Sequence, residues 1–193
     1  MTRSVPSPRR AAQRGVAAVE FALGAMLFFI FIFGVIELAR ALYMWSTMIE
    51  VTRRAARTAA NTDFTNTVLL DAAAAKAIFD EIPGGLPLRG NIRANNLNID
   101  YLNGSLTPVS PMPSCPAQNI ARCNTDPNGN SCIRFVRVRL CVAGSGAACP
   151  RVDYQPIVGA NFFPGGPLQF PTFATVTPAG TLGYSPGVPG SCM

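Results

Sequence analysis

The chain has 193 residues, of which 49% are hydrophobic and 13% charged, with a formal net charge of +6 and no histidine. Soluble domains usually carry about 25% charged residues, so this composition indicates a membrane segment or a large interface. The absence of histidine excludes Ser-His-Asp and Cys-His catalysis, because the base that activates those nucleophiles is missing. It also removes the commonest protein ligand of transition metals. We expect one domain with an anchor, neither an enzyme nor a cofactor-binding protein.

The first fifteen residues contain four arginines and no acidic residue. Basic residues ahead of an apolar stretch favour a cytoplasmic location for that end of the chain. No aromatic or glycine-rich RNA-binding pattern accompanies them, so we favour a cytoplasmic leader, residues 1–15, over an arm that binds nucleic acid. The basic residues of this leader are Arg3, Arg9, Arg10 and Arg14.

An apolar stretch follows at residues 16–36, and its one charged residue is Glu20. As a helix with a rise of 1.5 Å per residue, it would reach about 31 Å, the thickness of a bilayer's hydrocarbon core. A helix that is apolar on every face is typical of a membrane span. The sequence therefore predicts a single-pass membrane protein whose larger part lies outside the cytoplasm.

A competing signal lies just beyond the apolar stretch. Ala39-Arg40-Ala41 has the A-x-A form of a signal-peptidase site. Cleavage there would release a secreted protein that begins at Leu42, and the alternative function is a secreted or signal-anchored binding module with a disulfide-rich exterior. Against this alternative, the charge-free run of sixteen residues is longer than a usual secretory apolar region.

The residues around Glu20 read RGVAAVEFAL, a glycine followed by small and apolar residues, a glutamate and an aromatic. This pattern resembles the cleavage site of type IV prepilin-like proteins. Residues 9–60, which include ELARA at positions 37–41, resemble the TadE-like family of minor pseudopilins of Flp (tight adherence) pili. Past residue 60 the likeness is loose.

The resemblance implies a structural component of pilus assembly. It implies that a prepilin peptidase cuts between Gly15 and Val16, and that Glu20, next to Phe21, pairs in the membrane with the N-terminal ammonium of a neighbouring subunit. Such pairing is physically reasonable, because two charges that lose their hydration together compensate each other. The implied partners are other pilins or pseudopilins, an inner-membrane assembly platform with its secretion ATPase, and the lipid bilayer. The implied location is the bacterial inner membrane, with the larger part periplasmic or incorporated in a pilus.

The residues after the apolar stretch continue the helical pattern. Glu37 and Arg40 lie three residues apart, so they share a helix face and can form an ion pair where the helix leaves the membrane on its non-cytoplasmic side. Tyr43 and Trp45 suit the aromatic belt of such an interface. Neither glycine nor proline occurs from there to residue 60. We therefore expect one helix over residues 16–60.

The exterior segment, residues 61–193, is predicted to make the fold α+β: the long transmembrane helix, a second short helix, and a small antiparallel sheet with disulfide-tied loops. The second helix is expected to run from Thr65 or Asn66 to about Ile82. Alternation of apolar and polar residues over 96–101 and 133–142 predicts two strands packed on the helix. From residue 156 the chain is rich in proline and glycine, which predicts a loop-rich covering with a further strand at 170–176.

The exterior segment contains all six cysteines. No CxxC pair occurs, which argues against a zinc site, and an even number in an exported segment favours disulfides. Six cysteines allow fifteen pairings, and their spacing selects none of them. Residues 124–129 resemble the start of a calcium loop, but Phe135 stands at the closing position, so we favour a plain turn. The disulfide candidates are Cys115, Cys123, Cys132, Cys141, Cys149 and Cys192.

Overall fold

The computed structural model describes residues 14–80, 87–88, 90–157 and 168–186. The rest of the basic leader, the expected Ile82 end of the second helix, part of the tail and Cys192 lie outside the described residues. The chain divides into two compact units, Met1–Arg40 and Ala41–Met193. The helices are α1 (Arg14–Ala59), α2 (Thr67–Ala77) and α3 (Pro116–Thr125), with short 3₁₀ turns at Ala94–Asn96 and Gly146–Ala148. The strands are β1 (Leu97–Leu102), β2 (Phe135–Leu140) and β3 (Ala174–Pro178).

The first unit consists, in its described part, of the apolar portion of α1. By length and composition, α1 is the one helix among the described residues that could cross a membrane, and its most apolar window is not buried. Helix α1 begins two residues before the expected start and ends one residue before the expected end. The prediction of one uninterrupted helix is therefore confirmed.

The second unit is built on an antiparallel sheet with strand order β1-β2-β3. Leu97 pairs with Leu140 and Tyr101 with Val136, so the alternating apolar residues of β1 and β2 point to one face. That face packs on the outer portion of α1, as expected, and the α+β prediction is confirmed.

The sheet runs alongside α1, so its two ends contact different parts of that helix. At the end that we call the near end, Leu97 and Leu140 belong to one buried cluster with Met44. At the other end, which we call the far end, a second cluster joins Tyr101 and Val136 to the last turn of α1. The near end is the end at which the chain enters this unit, because Ala41 is the unit's first residue.

Helix α2 begins close to the predicted position but ends before the expected Ile82. Asn66 caps it by accepting a hydrogen bond from the Leu69 N–H over 3.1 Å. After Ala77 the chain turns, and Phe79 adopts a φ of 59°, a left-handed conformation that more commonly ends a helix at glycine. The Arg54 guanidinium lies 5.0 Å from the centroid of the Phe79 ring, which helps to hold this turn in place.

Two further elements differ from the expectation. Helix α3 was not predicted, and β3 covers Ala174–Pro178 instead of residues 170–176. Buried Asn119 fastens α3 to the chain before β2, since its Oδ1 accepts the Ile133 N–H over 2.8 Å. This hydrogen bond joins residues that are distant in the sequence, so no local sequence pattern predicts it.

Candidate functional site

The predicted cleavage site lies in the first turn of α1. Gly15 is the second residue of the helix, and apart from its chain neighbours and the adjoining helix backbone no heavy atom lies within 4 Å of the position that a Cβ would occupy there. Val16 is exposed, so no described side chain covers the bond between these two residues. The first N–H groups of a helix have no intrahelical acceptor, so this turn can open at lower cost than the helix interior.

Glu20 follows Val16 by one helical turn and therefore lies on the same face of α1. Both Glu20 and Phe21 are exposed, and within the described part of the chain Glu20 makes no ion pair. An isolated carboxylate near a bilayer centre costs roughly 2.5–3.5 kcal/mol on insertion scales. In lipid, this carboxylate would need a counter-charge that α1 itself does not supply within one turn.

Glu37 and Arg40 form an ion pair within α1. Arg40 Nη1 lies 3.3 Å from Glu37 Oε1, and each side chain is only 8% exposed. Breaking a buried pair by removing one partner leaves the other charge desolvated, which is strongly destabilising. The pair stands at the last residues of the first unit, just after the apolar stretch.

The described cysteines are all disulfide-bonded. Cys123 bonds to Cys132, which ties the last part of α3 to the chain before β2. Cys141 bonds to Cys149, which closes the loop after β2. Cys115 is also in a disulfide.

The 124–129 segment turns back on itself. Asp126 Oδ1 accepts the Asn128 N–H over 3.1 Å, which is the geometry of an Asx-turn. The described residues contain no group of three or more cysteine, aspartate or glutamate side chains placed to hold a metal ion. The Asx-turn is the kind of plain turn that the sequence favours here.

A surface groove of about 480 Å³ lies between the last turn of α1 and α2. Thr58 and Leu69 line it, and the charged side chains at its edge are Asp63 and Lys76. Asp63 Oδ1 already accepts hydrogen bonds from both the N–H and the hydroxyl of Thr65. The Thr58 hydroxyl donates to a backbone carbonyl of its own helix, so the groove presents no activated nucleophile.

Tyr101 is a buried titratable residue at the far end of the sheet. Within the described part of the chain its hydroxyl has no hydrogen-bond partner. Burial raises the pKa of Tyr101 well above its usual value, and the nearby Asp63 carboxylate adds to the rise. This phenol is therefore neutral at all physiological pH values and has no obvious chemical role.

Comparison with known proteins gives one match. Residues 15–57 match the family model described as TadE-like protein, which confirms the resemblance over this part of the chain. The matched residues lie within α1 and contain the apolar stretch, Glu20 and the Glu37–Arg40 pair. No curated protein and no solved structure matches the chain. The match and the long apolar helix together fit a component of a Tad pilus, anchored in a membrane.

Proposed function

We propose that the protein is a minor pseudopilin that serves assembly of a Flp-type pilus. In this proposal it is a single-pass protein of the bacterial inner membrane, with its N-terminus in the cytoplasm and its second unit in the periplasm. A prepilin peptidase removes residues 1–15, and the chain then associates with other pilins or pseudopilins and with the assembly platform. Its role is structural.

The observation that carries the proposal is the overlap between the family match and the apolar helix. The match begins at Gly15, directly before Val16, the proposed new N-terminus, and it covers the whole apolar stretch. The same helix continues through Ala59, and its outer portion forms part of the core of the second unit. The chain would thus pass from the membrane to the exterior within one continuous helix.

The charges of α1 support the proposed pairing in the membrane. Cleavage after Gly15 would leave an ammonium at Val16, one turn from Glu20, in a helix whose next charged residue is Glu37. A neighbouring copy or another pilin would bring its own ammonium to this carboxylate, and the two buried charges would compensate each other.

The pairing is tested by removing the Glu20 charge in cells that assemble the pilus. We expect Glu20→Gln to be processed and inserted normally but to reduce the number of pili per cell at least about ten-fold, the effect of losing about 1.4 kcal/mol in the one step that incorporates this subunit. Glu50→Gln is the matched control, because Glu50 is an exposed residue of the same helix and its ion-pair partner among the described residues is Arg54, at 3.0 Å. Normal pilus numbers in Glu20→Gln, or an equal loss in the control, would contradict the proposed pairing.

A further inference from the structure

We propose that the near end of the second unit rests on the outer surface of the phospholipid bilayer, so that the chain contacts lipid at a second place besides its transmembrane helix. This inference depends on the proposed membrane anchoring and adds to it a contact made by the sheet and its loops. It concerns a surface assembled from three separate parts of the sequence.

A series of aromatic contacts brings the tail to the first turns of the second unit. The Trp45 and Phe173 ring centroids lie 5.8 Å apart, Phe173 and Phe170 lie 6.1 Å apart, and Phe170 and Tyr154 lie 5.3 Å apart. The Tyr154 N–H donates to the Leu168 carbonyl over 2.6 Å, which joins two tail segments into a short ribbon. The ribbon therefore stands beside Trp45, close to the place where the chain enters the unit.

The loop after β2 belongs to the same end. Leu140, the last residue of β2, pairs with Leu97 and donates its N–H to the Phe173 carbonyl over 3.0 Å. The loop that follows, 142–148, is closed by the disulfide between Cys141 and Cys149 and contains no charged residue. The sequence of this loop, VAGSGAA, has only Ser145 as a polar side chain.

These segments expose apolar side chains at the near end. Leu42 is 62% exposed, Trp45 49%, Leu168 45% and Val142 43%. Single exposed apolar residues are ordinary, but a set contributed by a helix, a disulfide-closed loop and a tail ribbon at one end of a unit marks an interaction surface. We call these four residues the near-end surface.

The position of this surface favours lipid as the occupant. The chain reaches it directly from the apolar stretch: Leu42 is the second residue of the unit, five residues beyond Glu37. Tryptophan is enriched at the membrane–water interface, where its ring is apolar and its N–H reaches water. The part of the surface that lies on α1, Leu42 and Trp45, therefore follows the proposed membrane span directly in the sequence.

Positive charge beside the near-end surface fits anionic headgroups. Arg137 Nε and Arg139 Nε both donate to the same oxygen, Asp100 Oδ2, over 3.0 and 2.9 Å, so this cluster carries one excess positive charge. The Arg139 guanidinium also lies 3.4 Å from the carbonyl of Ala147, in the uncharged loop. Arginines next to apolar loops attract the anionic lipids of a bacterial inner membrane.

The chain offers a direct test, because Trp45 is its only tryptophan. Full-length protein is reconstituted into phosphatidylcholine–phosphatidylglycerol vesicles whose acyl chains carry bromine near the headgroup, and tryptophan quenching is measured. The tryptophan is then moved to the ribbon in the variant Trp45→Phe with Leu168→Trp. The matched control combines Trp45→Phe with Val68→Trp. Val68 is 73% exposed and lies in the first turn of α2, shortly after Phe64, a residue of the far-end cluster.

We expect the bromolipid to quench the tryptophan at position 168 at least about two-fold more strongly than the tryptophan at position 68, since interfacial groups reach the upper acyl chains. Should the Leu168→Trp variant lose its fold, seen as free thiols, Val142→Trp in the same background reports on the same surface. Equal quenching at the two ends would overturn the inference. Quenching at 168 that disappears as the protein-to-lipid ratio rises would also overturn it, because a neighbouring protein would then cover the surface.

Failure of the membrane anchoring is visible separately. Flotation of the vesicles in alkaline carbonate reports whether α1 is inserted, independently of the tryptophan signal. Protein that floats but is not quenched at 168 contradicts the near-end contact alone, whereas protein that does not float contradicts the anchoring and the contact with it.

Discussion

Gly180 donates its backbone N–H to the carbonyl of Ala60 over 3.0 Å, and this bond joins the end of α1 to a segment close to the other end of the sequence. The Leu182 N–H donates to the same carbonyl, also over 3.0 Å, and the Leu182 side chain is buried in the far-end cluster. The last carbonyls of a helix need partners from outside it. The segment 179–183 therefore completes α1 and fixes the far end of the sheet to it.

The first prediction concerns this segment. Gly183 has a φ of 80°, and a Cβ there would lie 2.6 Å from the Asp63 nitrogen. We expect Gly183→Ala to lower the free energy of unfolding by about 2 kcal/mol or more, from backbone strain and from the displaced turn. Gly144→Ala is the control, because Gly144 has a similar φ of 73° but no heavy atom within 4 Å of its Cβ position.

Urea unfolding of the full chain in detergent, followed by Trp45 fluorescence, compares the two variants. The Trp45–Phe173 contact makes this fluorescence sensitive to loss of the second unit's packing. A smaller destabilisation in Gly183→Ala than in Gly144→Ala would show that the contact of the tail with α1 is absent in solution.

The second prediction concerns pH. The pKa of Tyr101 is raised in the folded chain by burial and by Asp63, so folding favours the neutral phenol. The resulting stabilisation is complete below the unfolded pKa of about 10 and is lost as the pH rises above it toward the folded value. We expect Tyr101→Phe to lose less stability above pH of about 10 than the natural chain does.

Alkaline urea titrations measure this difference. Because the Tyr101 hydroxyl has no hydrogen-bond partner among the described residues, the variant should be at least as stable at neutral pH. Tyr43→Phe, which removes an exposed phenol, is the control. An identical profile for Tyr101→Phe and Tyr43→Phe would contradict the burial of Tyr101.

The third prediction concerns the disulfides. Peptide mapping without reductant should recover the linkages Cys123–Cys132 and Cys141–Cys149. Alkylation of the exported protein without reductant should label few or none of its six cysteines, since exported chains are oxidised. Labelling of all six, or a different pairing of these four, would contradict the observed loops.

The fourth prediction concerns topology. The leader contains four arginines and no acid, and positive flanks orient transmembrane helices. A reporter that is active only outside the cytoplasm should be active when fused after Met193, and replacing the four arginines by glutamine should weaken this activity. Activity of a reporter that works only in the cytoplasm, fused at the same position, would show that the orientation is the reverse of the proposed one. The four arginines are Arg3, Arg9, Arg10 and Arg14.

Strong local patterns made the main elements of the fold predictable. The apolar stretch and the absence of glycine and proline up to residue 60 predict α1, and alternation predicts the inward faces of β1 and β2. Helix α3 is short, and Ile120 is its one large aliphatic side chain, so its sequence predicts a helix only weakly. Pro116 at its first position is typical of a helix start, but the cap before it is Cys115, whose Sγ accepts the Gln118 N–H over 3.4 Å where a serine or aspartate is usual.

The proposed cleavage site and the near-end surface also differ in how far the sequence predicts them. Gly15 and Glu20 stand out in the sequence, because a glycine before an apolar stretch and a charge inside it are both unusual. The near-end surface does not stand out, since Leu42, Val142 and Leu168 are far apart in the chain, and only the strand pairing and the aromatic contacts place their segments at one end of the unit. No sequence pattern predicts that these three side chains are exposed.

Removal of residues 1–15 underlies the proposed function, and glycine substitutions examine the specificity of that cleavage. We expect Gly15→Leu to abolish cleavage, because a large side chain would obstruct the approach of the peptidase to the backbone. Gly24→Leu is the control: Gly24 lies in the same helix with equally open space at its Cβ position, but away from the proposed cut. Gly24→Leu should be cleaved normally, and equal loss of cleavage in both variants would point to a general defect of the helix.

The most direct measurement is the intact mass of the natural chain isolated both from the membranes and from the soluble exported fraction of cells that contain the prepilin peptidase. We expect a mature chain that begins at Val16, and retention of residues 1–15 in cells without the peptidase. A chain that begins at Leu42 would instead identify a secreted protein released after Ala41. A chain that keeps residues 1–15 in the presence of the peptidase would identify a simple signal anchor, and either result would contradict the proposed pseudopilin function.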